Sequence, residues 1–129
     1  MDDCIFCKIV KGNIPSHKVF ENEHTIAFLD ISPCALGHTL VIPKKHYRNI
    51  EDVSPQDLAE VIKTVQVVGK TCMKALGAPG FNIHQSNNKV AGQVIFHLHF
   101  HVIPRFENYG LVFKWQVSEE SKQKIPQIK

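Results

Sequence analysis

Alternating apolar and polar positions mark two short strands in the first third of the chain. The segment SHKVFENEHTIAFLD predicts a β-hairpin, in which the polar turn at 21–23 joins VF to the β-forming run TIAFL. Pro33 ends the second strand because proline cannot donate to a ladder. The next apolar run, HTLVIP, ends at Pro43 and predicts a third strand, placed centrally because most of its positions are apolar.

A long amphipathic helix follows. Ser54 supplies a hydroxyl N-cap, Pro55 fits the first helical position, and Asp57 places an acid in the first turn. Gly77 and Pro79 end the helix. Its predicted apolar stripe has steps of three and four residues and consists of Leu58, Val61, Ile62, Val65, Val68, Cys72, Met73 and Leu76.

The last part of the pattern predicts two more strands, GFNIHQS and VIFHLHFHVIP, separated by a polar loop around NNKVAGQ. The order of strands, one long helix and further strands contains no alternating βαβ unit. It therefore predicts an α+β fold with an antiparallel sheet.

Three histidines alternate with apolar residues in the last predicted strand. Because side chains of a strand alternate between its faces, His97, His99 and His101 share one face. The other face is expected to pack on the long helix and carries Phe96, Leu98, Phe100 and Val102. A solvated polar strand would also alternate, but three histidines at strict spacing favour metal ligation or nucleophilic and acid–base chemistry. We interpret the row as doing both, divided between its residues.

Composition narrows the class of protein. A chain of 129 residues has room for one compact domain. The net charge of +3 comes largely from lysines of the tail, and no basic block is interleaved with aromatics, so no nucleic-acid partner is expected. The acidic start and the lack of a long apolar run predict neither a secretory signal nor a membrane span, hence a cytoplasmic protein with reduced thiols.

The spacing Cys4–x–x–Cys7 is that of half a zinc site. A redox pair with this spacing would need a preceding strand, and only three residues come before Cys4.

The sequence closely resembles the histidine-triad (HIT) family, in its bacterial-type Hit or Hint-like branch. The resemblance covers residues 4–106 and rests on CIFCKIVKGNIPS, AFLDISPCALGHTLVIPKKH and AGQVIFHLHFHVIPRF. It implies a single domain over 1–129 with a core at 4–106 and a C-terminal tail at 107–129. It also implies about five antiparallel strands, one long and one or two short helices, and a homodimer that joins two sheets side by side.

The resemblance further implies roles for individual residues. His99 corresponds to the nucleophile, His101 to a residue that contacts the phosphate, and His38 to a histidine behind the nucleophile. The implied nucleotide contacts are Asp30, Ile31, Ser86, Gly92, Gln93, Val94, His99 and His101. From local sequence alone, His38 could equally be a core group and Asp30 a turn former.

Two positions depart from the family pattern, and one histidine has no place in it. Ser86 stands where many relatives have asparagine, and Val94 stands where the Hint-like branch has a hydroxyl that touches phosphate. His84 matches no family role, and we expect it to be structural.

The family's bacterial-type members complete the zinc site with two histidines, which here are His46 and His97. Together with Cys4 and Cys7 they would form a closed, structural Cys2His2 site, and no organic cofactor is expected. Removal of zinc should then lower thermal stability while His99 remains chemically competent.

The expected activity is that of a purine nucleotide phosphoramidase or dinucleoside polyphosphate hydrolase working through a nucleotidyl-histidine. Two alternatives stay open: a metal-dependent hydrolase with the triad as catalytic ligands, and a catalytically idle nucleotide-binding or scaffold protein. In the tail, Trp115 is the one large apolar group that could reach a partner's active site.

Overall fold

The computed structural model describes residues 3–107 and 115–127. Its five strands form one antiparallel sheet in the order β1-β2-β3-β5-β4. The predicted α+β fold with an antiparallel sheet is confirmed, including the central position of the third strand. The strands are β1 (Lys18–Glu21), β2 (Thr25–Leu29), β3 (Thr39–Pro43), β4 (Gly80–His84) and β5 (Phe100–Arg105).

The helices differ greatly in length. The long helix α2 spans Pro55–Leu76, between a short N-terminal helix α1 (Ile5–Val10) and a short helix α3 (Glu119–Gln123). Two 3-10 turns lie at Lys89–Ala91 and Ile125–Gln127. Among the described residues, no helix is both long and apolar enough to cross a membrane. Of the predicted tail, residues 108–114 and 128–129 lie outside the described part, and the side chain of Trp115 is 90% exposed.

Helix α2 begins and ends as its sequence predicts. The Ser54 hydroxyl accepts a hydrogen bond from the Asp57 amide at 3.1 Å, and Gly77 has the left-handed conformation (φ 67°) that suits a residue without a Cβ. Its buried face includes half of the predicted stripe: Val61, Val65, Val68 and Cys72.

The predicted stripe is corrected at five positions of α2. Ile62, Met73 and Leu76 are exposed, whereas Thr64 and Gly69 are buried. Thr64 can be buried because its hydroxyl forms a hydrogen bond of 2.7 Å with the hydroxyl of Thr25. This bond joins α2 to strand β2 of the sheet. Gly69 is required because a Cβ there would lie 2.4 Å from the ring of Phe81.

Both faces of the sheet are covered. On one face Val41, Phe100 and Val102 pack with the apolar side of α2. On the other face Leu40 and Ile42 pack with α1 and its flanking residues. Successive residues of β3 thus point to opposite cores, as the pleat requires.

The histidine segment begins its strand later than predicted. Regular pairing starts at Phe100 rather than Phe96, and Phe96 is 44% exposed, whereas Leu98 is buried as predicted. The ladder between β3 and β5 pairs only residues 39–41 with 100–102. Its neighbour β3 ends at Pro43, which has no N–H to donate, so the segment at 97–99 is held by other hydrogen bonds.

Candidate active site and metal-ligand cluster

His99 lies just before β5 with one ring nitrogen fixed by the backbone. Its Nδ1 lies 2.7 Å from the carbonyl oxygen of His97, which can only accept, so Nδ1 carries the proton. The second nitrogen, Nε2, therefore keeps a lone pair. Burial lowers the pKa of His99, which keeps the ring neutral. A neutral imidazole with a fixed tautomer and an available Nε2 can act as a nucleophile.

His38 and His101 form a hydrogen-bonded chain beside His99. The Cys34 amide donates to His38 Nδ1 at 3.1 Å, so the proton of a neutral His38 is on Nε2. His38 Nε2 lies 2.8 Å from His101 Nδ1 and donates to it, which leaves the His101 proton on Nε2. Burial, with smaller contributions from His99 and His38, lowers the pKa of His101 to about 4. His101 is thus a neutral N–H donor.

The Asp30 carboxylate forms a turn and also lies beside His38. One carboxylate oxygen accepts the Ser32 amide at 2.8 Å, which forms the turn after β2. The other lies 3.5 Å from His38 Nε2. Asp30, His38 and His101 are close enough to suit a metal ion. However, with Nδ1 of His38 occupied by an amide and Nε2 protonated, the neutral ring has no lone pair for a metal.

A cavity of about 500 Å³ opens in front of His99 and His101. This volume lies within the range of small-molecule sites. Asp30 and Gly92 also line it, and Ile31 and Val94 line it although they are 88% and 82% exposed. Its apolar wall includes Ile9, Ile14, Phe28, Leu40 and Ile95.

The side chain of Gln93 is bound within the protein. The predicted contact of Gln93 with phosphate stays a prediction, and the buried side chain already bonds four protein groups. Its Oε1 accepts from the Asn88 amide at 2.8 Å and from the Asn49 side chain at 3.3 Å. Its Nε2 donates to the carbonyls of Arg48 at 2.7 Å and Ile95 at 3.1 Å. Gln93 therefore positions the loop that contains Gly92, whose φ of 96° favours glycine.

Cys4, Cys7, His46 and His97 come together as one cluster. Cys4 Sγ lies 3.4 Å from His97 Nδ1, and Cys7 Sγ lies 3.3 Å from His46 Nδ1. Cys7 Sγ and His46 Nδ1 lie 3.6 and 3.2 Å from His97 Nδ1. Zn–S bonds of about 2.3 Å and Zn–N bonds of about 2.0 Å place neighbouring donors of a tetrahedron about 3.3 to 3.8 Å apart. The donor set and its spacing therefore fit zinc.

His97 is prepared as a ligand by its surroundings. It is fully buried, and its Nε2 lies 2.9 Å from the carbonyl of Pro43, so Nε2 carries the proton. This leaves the Nδ1 lone pair directed at the two thiols and His46. A backbone acceptor of this kind fixes the tautomer of metal-bound histidines.

Two neighbours of the histidines were missed in the sequence. The ring of Phe6, between the two cysteines, packs edge-on against His99 with 5.2 Å between ring centroids. His84 is the cross-strand partner of His101, with ring centroids 5.7 Å apart. The pairing of β4 with β5 was predicted by neither spacing nor composition, so only the register could have identified His84.

The fold and the site define a class: small α+β proteins that work through a row of histidines on an antiparallel sheet. The HIT domain model matches residues 11–108. The chain belongs to the HIT family, as its resemblance predicted.

Relatives and a solved structure agree with this assignment. The adenosine 5′-monophosphoramidase of Schizosaccharomyces pombe is 42% identical over 123 residues, covering 95% of this chain and 90% of that protein. The adenylylsulfatase of Arabidopsis thaliana is 42% identical over 106 residues, 82% of this chain and 54% of that protein. The crystal structure of a zinc-bound histidine triad family protein from Mycobacterium smegmatis has a TM-score of 0.83 at 35% identity, covering 96% and 90%. The prediction of a HIT-family hydrolase is confirmed.

Proposed function

We propose that the protein hydrolyses purine nucleotide derivatives at the α-phosphate through a covalent nucleotidyl-His99. The observation that carries this proposal is the hydrogen bond from His99 Nδ1 to the His97 carbonyl beside the cavity. It leaves Nε2 unprotonated, as a nucleophile requires. The names of the relatives, a monophosphoramidase and an adenylylsulfatase, support an adenosine monophosphate derivative as substrate.

Substrate binding uses the cavity as follows. The purine nucleoside packs against the apolar wall that includes Phe28 and Ile95. It lies between Ile31 and Val94, which are exposed at the rim of the cavity. Asp30 accepts hydrogen bonds from the ribose hydroxyls. Because Gly92 has no side chain, the phosphate can approach the backbone there, and the neighbouring Ser86 hydroxyl is a donor beside it. This arrangement directs the α-phosphorus toward the histidines.

The reaction then proceeds in two displacements. His99 Nε2 attacks phosphorus and forms a P–N bond, while the bond to the leaving group breaks with its electron pair; an amine leaving group takes up a proton from solvent water. His101 Nε2–H donates to a phosphoryl oxygen, where negative charge builds up. In the second step water attacks the same phosphorus and gives its proton to solvent, and the P–N bond breaks with its electron pair returning to His99 Nε2, which releases the nucleoside monophosphate. His38 acts behind this pair by fixing the tautomer of His101.

Cys4, Cys7, His46 and His97 are proposed to hold a structural zinc ion. Zinc bound there would have four protein ligands and no open position for water, which is typical of structural sites. The similarity to a zinc-bound family member supports this metal. None of the four cysteines forms a disulfide. This suits the reducing cytoplasm, where we expect the protein to act.

Mass spectrometry after brief exposure to an AMP phosphoramidate tests the mechanism. Wild-type protein should gain one adenylyl group, and His99→Ala should gain none while retaining its metal content. The matched control His24→Ala removes an exposed histidine of the β1–β2 turn and should form the adduct normally. Loss of metal together with activity in His99→Ala would instead support a metal-dependent hydrolase. Turnover without an adduct, or binding without turnover, would also contradict the proposal.

A further inference from the structure

A fourth imidazole continues the row of histidines across the sheet. His84 ends β4 and pairs directly with His101 in the antiparallel ladder. Directly opposed residues of such a ladder share a face, so both side chains lie on the face that carries the cavity. Electrostatic effects agree with this proximity. Burial is the main cause of the lowered pKa of His101, and the neighbouring His84 contributes to it.

The strand order places His84 and Asp30 on opposite sides of the reacting histidines. Asp30 follows β2, which lies two strands from β5 on one side, whereas β4 is the neighbour of β5 on the other side. If the nucleoside lies at Asp30 and the α-phosphate at His99, the group beyond that phosphate lies toward β4. The proposed function places Ser86 beside the phosphate but assigns no residue to the leaving group.

Ser86 connects His84 to the phosphate side of the cavity. Its hydroxyl lies 3.0 Å from His84 Nε2. The same hydroxyl lies 3.9 Å from the position that a Cβ of Gly92 would occupy, and Gly92 lines the cavity. A hydroxyl can donate and accept at once, so Ser86 Oγ can accept from His84 Nε2–H and donate its own proton to an anion.

We infer that His84 and Ser86 form a leaving-group subsite that favours a tetrahedral oxyanion, phosphate or sulfate, over an amine. The inference rests on the proposed nucleotidyl-His99 chemistry and specifies its substrate class. The Ser86 hydroxyl, directed by His84, donates to an oxyanion oxygen, and hydrogen bonds to charged acceptors are stronger than those to neutral ones. An amine leaving group has no such oxygen and makes less use of this donor.

The test compares three substrates of one nucleotide: adenosine 5′-phosphoramidate, adenosine 5′-phosphosulfate and ADP. The ratio of kcat/KM for each oxyanion substrate to kcat/KM for the phosphoramidate is measured for wild type, His84→Leu, His84→Gln and the control His24→Leu. His84→Leu should lower this ratio by about tenfold, because the Ser86 hydroxyl loses the partner that directs its proton to the charged leaving group. His84→Gln keeps an N–H donor and should lose less, and His24→Leu should keep the wild-type ratio.

The substrate arms separate the possible outcomes. A loss confined to the phosphosulfate or to ADP identifies sulfate or phosphate as the preferred leaving group. Ratios that stay at the wild-type value in His84→Leu, while adenylyl-His99 still forms, would overturn the subsite and leave the proposed function intact. Absence of the adduct in wild type would overturn both. Thermal midpoints of all variants, measured in parallel, identify any effect that comes from unfolding.

Discussion

At the scale of single residues, backbone groups decide what each histidine can do. The backbone carbonyl of His97 accepts the Nδ1 proton of His99, and the backbone carbonyl of Pro43 accepts the Nε2 proton of His97. The backbone amide of Cys34 instead donates to Nδ1 of His38, so the lone pair of that nitrogen is occupied. Chemically identical rings thereby differ in which nitrogen keeps a lone pair, as the proposed roles of nucleophile, metal ligand and proton donor require. The division of labour predicted for the histidine row thus has a structural basis in these hydrogen bonds.

Replacing His38 should slow the first chemical step. Without the bond from His38 Nε2, a neutral His101 is free to hold its proton on Nδ1, and the donor to the phosphoryl oxygen is lost. We expect His38→Leu to reduce the single-turnover rate of adenylyl-His99 formation by about 10- to 100-fold. His38→Gln, whose amide can still donate to His101, should recover part of this rate. Equal rates for wild type and His38→Leu would contradict the role given to His38.

Acid should destabilise the fold through the buried histidines. Burial lowers the pKa of His38, and that of His101 falls to about 4 from an ordinary value of 6.5. Between these values the unfolded chain binds protons that the folded chain does not. The free energy of unfolding therefore falls as the pH drops from about 6.5 toward about 4, and this contribution is constant above that window.

Urea unfolding at pH 7 and pH 5 checks this sign. His101→Gln removes one of the groups, so its loss of stability between the two pH values should be smaller than that of wild type. Effects on the Cys/His cluster are common to both proteins and cancel in the comparison. An equal loss in the two proteins would show that His101 is not held neutral by the fold.

At the scale of elements, the sequence predicted what depends on neighbours in the chain. The hairpin and helix α2 carry their own turn and cap residues, and both were predicted correctly. The predicted start of β5 was wrong because the true start depends on where β3, which is distant in sequence, ends at Pro43. The four partners of the Gln93 side chain were not predicted because they come from three separate segments. His84 was missed because strand register is a long-range property.

Helix α1 depends on the metal-ligand cluster for its position. Six residues are too few for a stable isolated helix in water. Cys4 caps this helix, Cys7 lies inside it, and Phe6 between them packs against Phe28 at 5.6 Å between ring centroids. Because Phe6 and Ile9 also line the cavity, the cluster links metal binding to the nucleotide site.

Metal removal should therefore lower both the thermal midpoint and the affinity for AMP. Chelation of wild type and the variant Cys7→Ala should weaken AMP binding measured by calorimetry, while His99 still forms its adduct at saturating substrate. Cys72→Ala is the matched control, because Cys72 is also buried but lies outside the cluster. It should keep its metal content and lose only packing energy, about 1 kcal/mol. Thermal midpoints of wild type that are insensitive to chelation would contradict a structural metal site.

At the scale of the whole molecule, the site exists only when the sheet is assembled. Asp30 follows β2, His84 ends β4, and His38 and His99 immediately precede β3 and β5. Helix α1 closes the cavity from the face opposite α2. No single segment of the chain holds enough of these groups to bind a nucleotide. Substitutions in the core between the sheet and α2, such as at Gly69, should thus affect the site only through the stability of the whole fold.

The two edges of the sheet differ in a way that bears on assembly. Within the described residues, β4 pairs only with β5 and β1 only with β2, so each has one unpaired edge. β1 is broken by an irregular register at Lys18–Phe20, which disfavours continuous pairing with another chain, whereas β4 pairs regularly over all five residues. The predicted homodimer, with sheets joined side by side, is therefore expected to form through β4.

Matched charge substitutions on the two edges test this dimer. Ile83 in β4 and Val19 in β1 are almost equally exposed, at 53% and 51%. Lysine at an edge opposes pairing with another strand. Ile83→Lys should thus halve the mass measured by light scattering, whereas Val19→Lys should retain the wild-type mass. The reverse result would place the interface at β1, and a monomeric wild type would exclude the dimer. If Ile83→Lys is monomeric and still forms adenylyl-His99, one chain alone suffices for the first chemical step, and any contribution of Trp115 from a partner is confined to binding.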